Sequence, residues 1–428
     1  MLAQAGQVSV QLIDSIMVGH IGTAELAASA FANSVFIIGF VFGMGFTFGI
    51  TPLVGQAFGG KDNKRVGELL HNSFILNAII SIFLGVLMYA ISFIMPFMGQ
   101  PSNIIGLAIP YYRILVVSMI PFLIFYTIKQ YLEGLGVIKV ATIITLIANF
   151  INIFFNYMLI FGHFGASELG LNGAGWATLI SRVLMPILLI LWFVRTKYYV
   201  KYKFYILSKT IDFKEIIKLF KFNLPIGLQI VIEVIAFAVG GVMMGWFGET
   251  ALAAHQIALG LASFTFMIAS GIGSATTIRV SYQLGAKKYE DLRNAGYASV
   301  HLIIIFMSLT AIMFFALRQI LPQLFTNDEA VINLASYLLI YAAIFQIVDG
   351  IQIVAISALR ALSDVKFALW FSLVTYGIIA LGISYLFAFV FNFGPQGIWI
   401  GYVTGLSFAS FVFLFRYNKI TNGFLKLK

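Results

Sequence analysis

The sequence predicts an all-α integral membrane protein of twelve transmembrane helices, arranged as two parallel six-helix repeats. Three observations carry that prediction. Apolar runs of helical character recur along the whole chain, basic residues gather on alternate loops, and the second half repeats the first in the same orientation.

The apolar runs come first. Of 428 residues, 61% are hydrophobic and only 10% are charged, with a mean hydropathy of +0.99. A soluble domain carries about 25% charged residues, so this chain cannot cover a water-facing surface. Runs of about 20 apolar residues match the thickness of the hydrocarbon layer. They are continuous and rich in Leu, Ile, Phe, Gly and Ala, which excludes the alternation of a membrane barrel. The expected spans are 1–19, 25–54, 71–95, 106–133, 139–161, 173–195, 215–246, 250–278, 296–321, 334–360, 366–391 and 397–417.

Charge then orients them. Lys61, Lys64, Arg65, Lys139, the segment from Arg195 to Lys221, Lys287, Lys288, Arg293, Lys366 and the tail from Arg416 lie on one side. The opposite loops carry Arg318 as their one basic residue. This asymmetry and the even span count put both termini in the cytoplasm of a plasma (inner) membrane. The net charge of +10 is thus a membrane-topology signal, and no nucleic-acid partner is expected. The expected division is an N-terminal lobe (1–195), a basic cytoplasmic linker (196–214) and a C-terminal lobe (215–428).

The repeat is the third observation. "MVGHIGTAELAAS" from Met17 falls on "MMGWFGETALAAH" from Met243, and the same shift pairs Gly45 with Gly271, Thr51 with Thr277 and Gly59 with Gly285. A second patch aligns "LEGLGVIKVA" from Leu132 with "LRALSDVKFA" from Leu359. Parallel repeats relate two like bundles by an axis along the membrane normal, and such bundles commonly enclose a transport pathway. Met1 aligns with Gly227, so the first span lacks the leading turns of the seventh and is expected to be truncated.

Some chemistry is excluded. The chain has no cysteine, and its five histidines are scattered without ligand spacing. No signal-peptide layout precedes the first span. No phosphate-binding Gly loop or nucleophile–base pair is present, so an enzyme is not expected and no cofactor is required.

The informative residues are the acids inside the spans. An ionised side chain at a helix centre costs about 2.5–3.5 kcal/mol on insertion scales, and such residues face a cavity, an ion or a partner. Asp14 ends a stripe of Gln4, Gln7 and Gln11 spaced for one helix face. Glu233 follows Gln229 by one turn, and Asp349 lies between Gln346 and Gln352. Asn149, Asn152 and Asn156 stripe the fifth span. Their amide oxygens, with one carboxylate and a hydroxyl, suit a monovalent cation; interhelical hydrogen bonding is the alternative. Arg113 and Arg182 sit nearer the span ends, and Arg279 and Glu133 read as boundary residues, so the acids look short of cationic partners. Asp14 aligns with Gly240 and Glu233 with Gln7. The acids are not symmetry mates, which suits a division of labour between coupling ion and substrate.

The stretch "DSIMVGHIGTAELAA…TPLVGQAFGGKD" from Asp14 to Asp62, with "NIFFNYMLIFG" and "LPIGLQIVIE", resembles the multidrug and toxic compound extrusion (MATE) family over essentially the full chain. Glu233 and Asp349 resemble its NorM branch. The resemblance implies two six-helix lobes in a V around a central cavity that faces alternate sides. It implies a Na⁺- or H⁺-coupled antiporter, working as a monomer in the lipid bilayer, that exports small amphipathic, often cationic, organic compounds. Asp14, Asn152, Asn156 and Thr178 match the N-lobe cation or proton site, with Gln7 and Gln11 on the polar cavity face. Glu233 and Asp349, flanked by Gln229 and Gln346, match the C-lobe cation or substrate site, so Na⁺ is expected at either set. Asn156 stands where other members carry Asp, which leaves one formal charge at the N-lobe site. The rival reading is a flippase for lipid-linked precursors, against which twelve spans and an acidic interior count.

Overall fold

The computed structural model describes residues 13–196 and 212–426. Gln7, Gln11, the leading turns of the first span and most of the proposed linker lie outside them. Among the described residues, eleven helices are long and apolar enough to cross a membrane. A shorter helical stretch, 13–19, precedes them, and the all-α membrane class holds among the described residues.

In chain order these are α1 (13–19), α2 (Thr23–Gly59), α3 (Asn63–Ile91), α4 (Ser102–Gly134), α5 (Lys139–Phe161) and α6 (Leu171–Arg195). The second set is α7 (Phe213–Gly245), α8 (Glu249–Gly285), α9 (Tyr289–Ala316), α10 (Glu329–Ala361), α11 (Val365–Val390) and α12 (Pro395–Lys426). Helices overrun their apolar stretches chiefly on the basic side. There α2 runs to Gly59, α8 to Gly285 and α12 to Lys426, while α3 begins at Asn63 and α9 at Tyr289. Hydropathy marks where hydrocarbon ends, and the backbone ladder continues past it until a cap or turn stops it.

Local chemistry sets several ends. Asp62 caps α3 by accepting the Arg65 N–H at 2.9 Å, and Asp328 caps α10 through the Ala330 and Val331 N–H groups. These side chains satisfy donors that the first turn leaves orphaned. Within α11, Leu373–Ala380 and Leu386–Val390 wind as π-helix, a form that commonly marks functional positions.

The described chain divides into two compact units. The first holds 13–58, 62–196 and 212–227, and the second holds 59–61 and 228–426. The boundary falls within α7, because Leu219 packs into the first unit's core with Ile216 and Leu224 against it. Glu215 also pairs with Arg65 there. One continuous apolar core fills the first unit, from Val18 through Tyr112 and Phe125 to Leu189. The second has three clusters, around Phe345, Trp399 and Tyr402, around Leu359, Phe413 and Tyr417, and around Val300, Ile303 and Met307. Its α11 and α12 touch along their backbones. A Cβ on Gly401 would lie 2.4 Å from Ser384 N and 2.5 Å from Ala380 O, and one on Gly397 would lie 2.3 Å from Ala388 N. Small residues allow that approach, and close packing substitutes for a hydrophobic drive that lipid does not supply.

The repeat is explicit in the backbone. Lys61 and Lys287, aligned in sequence, both take left-handed φ values of 58° and 57°. The N–H that follows each returns to a carbonyl five residues back: Asp62 to Ala57 and Lys288 to Gln283, both at 3.0 Å. Gly136 and Ser363 make the second such pair, with φ 80° and 64°. Thr51 Oγ1 donates to the Gln130 carbonyl at 3.0 Å, and its mate Thr277 donates to the Ser357 carbonyl at 3.1 Å. Each hydroxyl ties the second helix of its half to the fourth.

Two outcomes follow for thermal unfolding in detergent. A left-handed non-glycine residue costs about 1–2 kcal/mol, so Lys61→Gly and Lys287→Gly each raise stability by about 1 kcal/mol. Gly401→Ala overpacks the α11–α12 contact and lowers it by about 1–3 kcal/mol.

Candidate functional site

In the first unit, α1, α5 and α6 bring all four proposed residues together. Asn152 and Asn156 stand one turn apart on α5 and are fully buried. Asn156 Nδ2 donates to Asp14 Oδ1 and, at 3.1 Å, to Asn152 Oδ1. Asn152 Nδ2 reaches Thr178 Oγ1 at 3.4 Å. The result is a polar chain, Asp14–Asn156–Asn152–Thr178, in which a single carboxylate meets two amides and a hydroxyl. Asn156 Oδ1 is buried with no hydrogen-bond partner. An unmatched carbonyl oxygen beside a carboxylate is a donor set that a hard monovalent cation accepts in place of water.

Arg182 lies one turn beyond Thr178 on α6. Its Nη1 donates to Ser118 Oγ at 2.8 Å, and its guanidinium rests 5.0–5.7 Å from the rings of Phe36, Phe40 and Phe122. Its charge is within electrostatic reach of Asp14. Arg113 is elsewhere, held by Ser92 Oγ at 3.1 Å and stacked near Tyr89 and Phe93.

In the second unit, α7 and α10 face each other with a longer polar ladder. Arg360 Nη2 donates to Gln229 Oε1, and Gln229 Nε2 donates to Glu233 Oε2 at 3.3 Å. Asp349, buried on α10, lies within electrostatic reach of Glu233. Tyr376, in the π-helical part of α11, feels both acids and Arg360. Gln346, one turn before Asp349, is 1% exposed, and neither end of its amide has a hydrogen-bond partner. The same holds for Gln352. So many unmatched polar atoms in an apolar interior mark a place for water or cargo.

One expectation is corrected. The acids are not short of cationic neighbours: Arg182 stands by Asp14 and Arg360 by Glu233. Arg360 is hard to find from sequence because it ends the tenth span, where a basic residue looks like a topology marker. The available signal is its spacing, since eleven residues after Asp349 make three helical turns on one face. Tyr376 gives little such signal, because its span is apolar apart from a few hydroxyl residues such as Ser372, Thr375 and Ser384. Among the described residues, no group of three His, Cys, Asp or Glu side chains could hold a metal ion.

A bundle of membrane-spanning helices in duplicate, with carboxylates and amides turned inward in each copy, has the build of a transporter. The chain belongs to the MatE family, which it matches over residues 1–158 and 225–386, one stretch in each half. It is 31% identical to a probable multidrug resistance protein NorM of Agrobacterium fabrum, over 97% of this chain and 90% of that protein. The corresponding protein of Rhizobium meliloti is 32% identical over 98% of this chain and 91% of its own length. The fold matches a crystal structure of MATE in the bent conformation, with a TM-score of 0.90 and 21% identity. That match covers all of this chain and 94% of the other.

The Asp14–Asn156 contact yields a stability test. Asp14→Ala removes one of the two acceptors of the buried Asn156 amide nitrogen and costs about 1–3 kcal/mol in detergent melts. Asp14→Asn can still accept that hydrogen bond and loses less.

Proposed function

We propose that this protein is a cation-coupled antiporter of the inner membrane, driven by Na⁺ or H⁺, that exports amphipathic and often cationic organic compounds by alternating access. The observation that carries the reading is that each unit encloses its own acidic constellation. Asp14 with Asn152, Asn156 and Thr178 serves the first; Glu233 and Asp349 with Gln229 and Gln346 serve the second. The names of relatives such as the multidrug resistance proteins NorM supply the substrate class.

The two units act as the lobes, with both termini cytoplasmic, and each copy of the chain works alone because both acidic sets lie within it. Antiport requires that ion and cargo bind the two access states with different affinities, so that occupancy by one favours release of the other. Carboxylates suit that exchange. They accept Na⁺, H⁺ or an organic cation, and a site with one net charge holds one of these at a time. In the first unit the proposed ion is met by Asp14 and by the open Asn156 carbonyl. In the second, the neighbouring acids and the unmatched Gln346 amide receive the larger cargo.

Transport in proteoliposomes tests this directly. Under an imposed Na⁺ or pH gradient the parent protein moves ethidium. Asp14→Asn, Glu233→Gln and Asp349→Asn each insert normally and each reduce that flux to background. Should all three move ethidium at the parent rate, the proposed function is wrong. Applying the two gradients separately identifies the coupling ion.

A further inference from the structure

The polar ladder of the second unit contains a permanent cation that the internal repeat does not supply, since Arg360 aligns with Glu133. Arg360 is half-buried in the last turn of α10. It is tied to Glu233 through a single amide: its guanidinium donates to Gln229 Oε1, and Gln229 Nε2 donates on to Glu233 Oε2 at 3.3 Å. That geometry fixes the Gln229 amide with its oxygen toward the cation and its nitrogen toward the acid. Glu233 in turn lies within electrostatic reach of Asp349. Two carboxylates and one guanidinium therefore share one hydrogen-bonded and electrostatic group. The guanidinium keeps its charge at every working pH. With both acids ionised, the group carries one net negative charge.

We propose that Arg360 fixes the charge capacity of this site at one, and so selects cargo that bears a single positive charge. This rests on the reading that Glu233 and Asp349 receive the organic cation. Without a tethered cation the two carboxylates present a double negative charge, which in a poorly solvated site favours a dication or two separate cations. With Arg360 in place, half of that demand is met by the protein. A dication then arrives with one charge unmatched, and leaving a charge unmatched is how a site rejects the wrong partner. Gln229 is the positioning residue that transmits the guanidinium's effect to Glu233.

The test compares ethidium with propidium in proteoliposomes. The two dyes share a ring system and carry one and two positive charges. The parent protein prefers ethidium. Arg360→Gln shifts the ethidium-to-propidium rate ratio toward propidium by roughly tenfold or more, and Arg360→Lys, which keeps the charge, leaves the ratio near the parent value. Gln346→Glu adds an acid on the face of Asp349 without touching Arg360. It shifts the ratio in the same direction, and it carries the test if Arg360→Gln does not fold. If Arg360→Gln or Gln346→Glu still moves ethidium with a ratio within about twofold of the parent, the charge-capacity idea is overturned. A parent protein that moves neither dye under either gradient overturns the transport reading beneath it, which is a different result.

Discussion

An ionised side chain inside hydrocarbon must be met by something, and this requirement organises the interior of the protein. At about 2.5–3.5 kcal/mol per residue on insertion scales, an acid in mid-span is tolerated only with a partner set. Asp14 has an Asn156 amide and a nearby Arg182. Glu233 has the Gln229 amide and, beyond it, Arg360. Asn and Gln recur beside the acids because an amide can donate to a carboxylate and accept from a guanidinium at once. Polar residues therefore cluster as stripes on chosen helix faces, while the remaining faces stay apolar.

The two constellations solve that requirement differently. In the first unit a single carboxylate is wrapped in neutral groups, and its cation is set apart, caged by three phenyl rings and one serine hydroxyl. In the second the cation is bonded into the ladder itself. A neutral wrapping suits a small ion whose hydration shell must be replaced oxygen by oxygen. A charged ladder, with amides left open along it, suits a larger guest whose charge must be counted as well as solvated. The asymmetry is what the alignment of Asp14 with Gly240 and of Glu233 with Gln7 foreshadows.

Much of this is legible in the sequence, for a physical reason. Span number and helix class follow from hydropathy, because lipid leaves backbone groups no partners except one another. The spacing of Asn152 and Asn156, and the single turn between Gln229 and Glu233, place these residues on shared helix faces by periodicity alone. Joining α1, α5 and α6 at Asp14, Asn156, Asn152 and Thr178 comes from family resemblance, since periodicity cannot say which helices meet. Arg360 stays hidden because a basic residue at a span end has a sufficient explanation in topology. The π-helical turns of α11 are invisible because "LVTYGIIA" is apolar at nearly every position and so shows no phase. The unit boundary inside α7 depends on which core Leu219 enters, and that is a matter of packing.

The paired left-handed turns have a consequence for how such a molecule diverges. At one pair both halves carry lysine; at the other, glycine in one half corresponds to serine in the other, with the same return hydrogen bond. A conformation that lysine and serine adopt as well as glycine is not dictated by local preference alone. The helices on either side impose it, and any residue that tolerates the strain can occupy the corner. The kinship of the two halves is therefore legible in the course of the main chain even at a corner where their side chains differ.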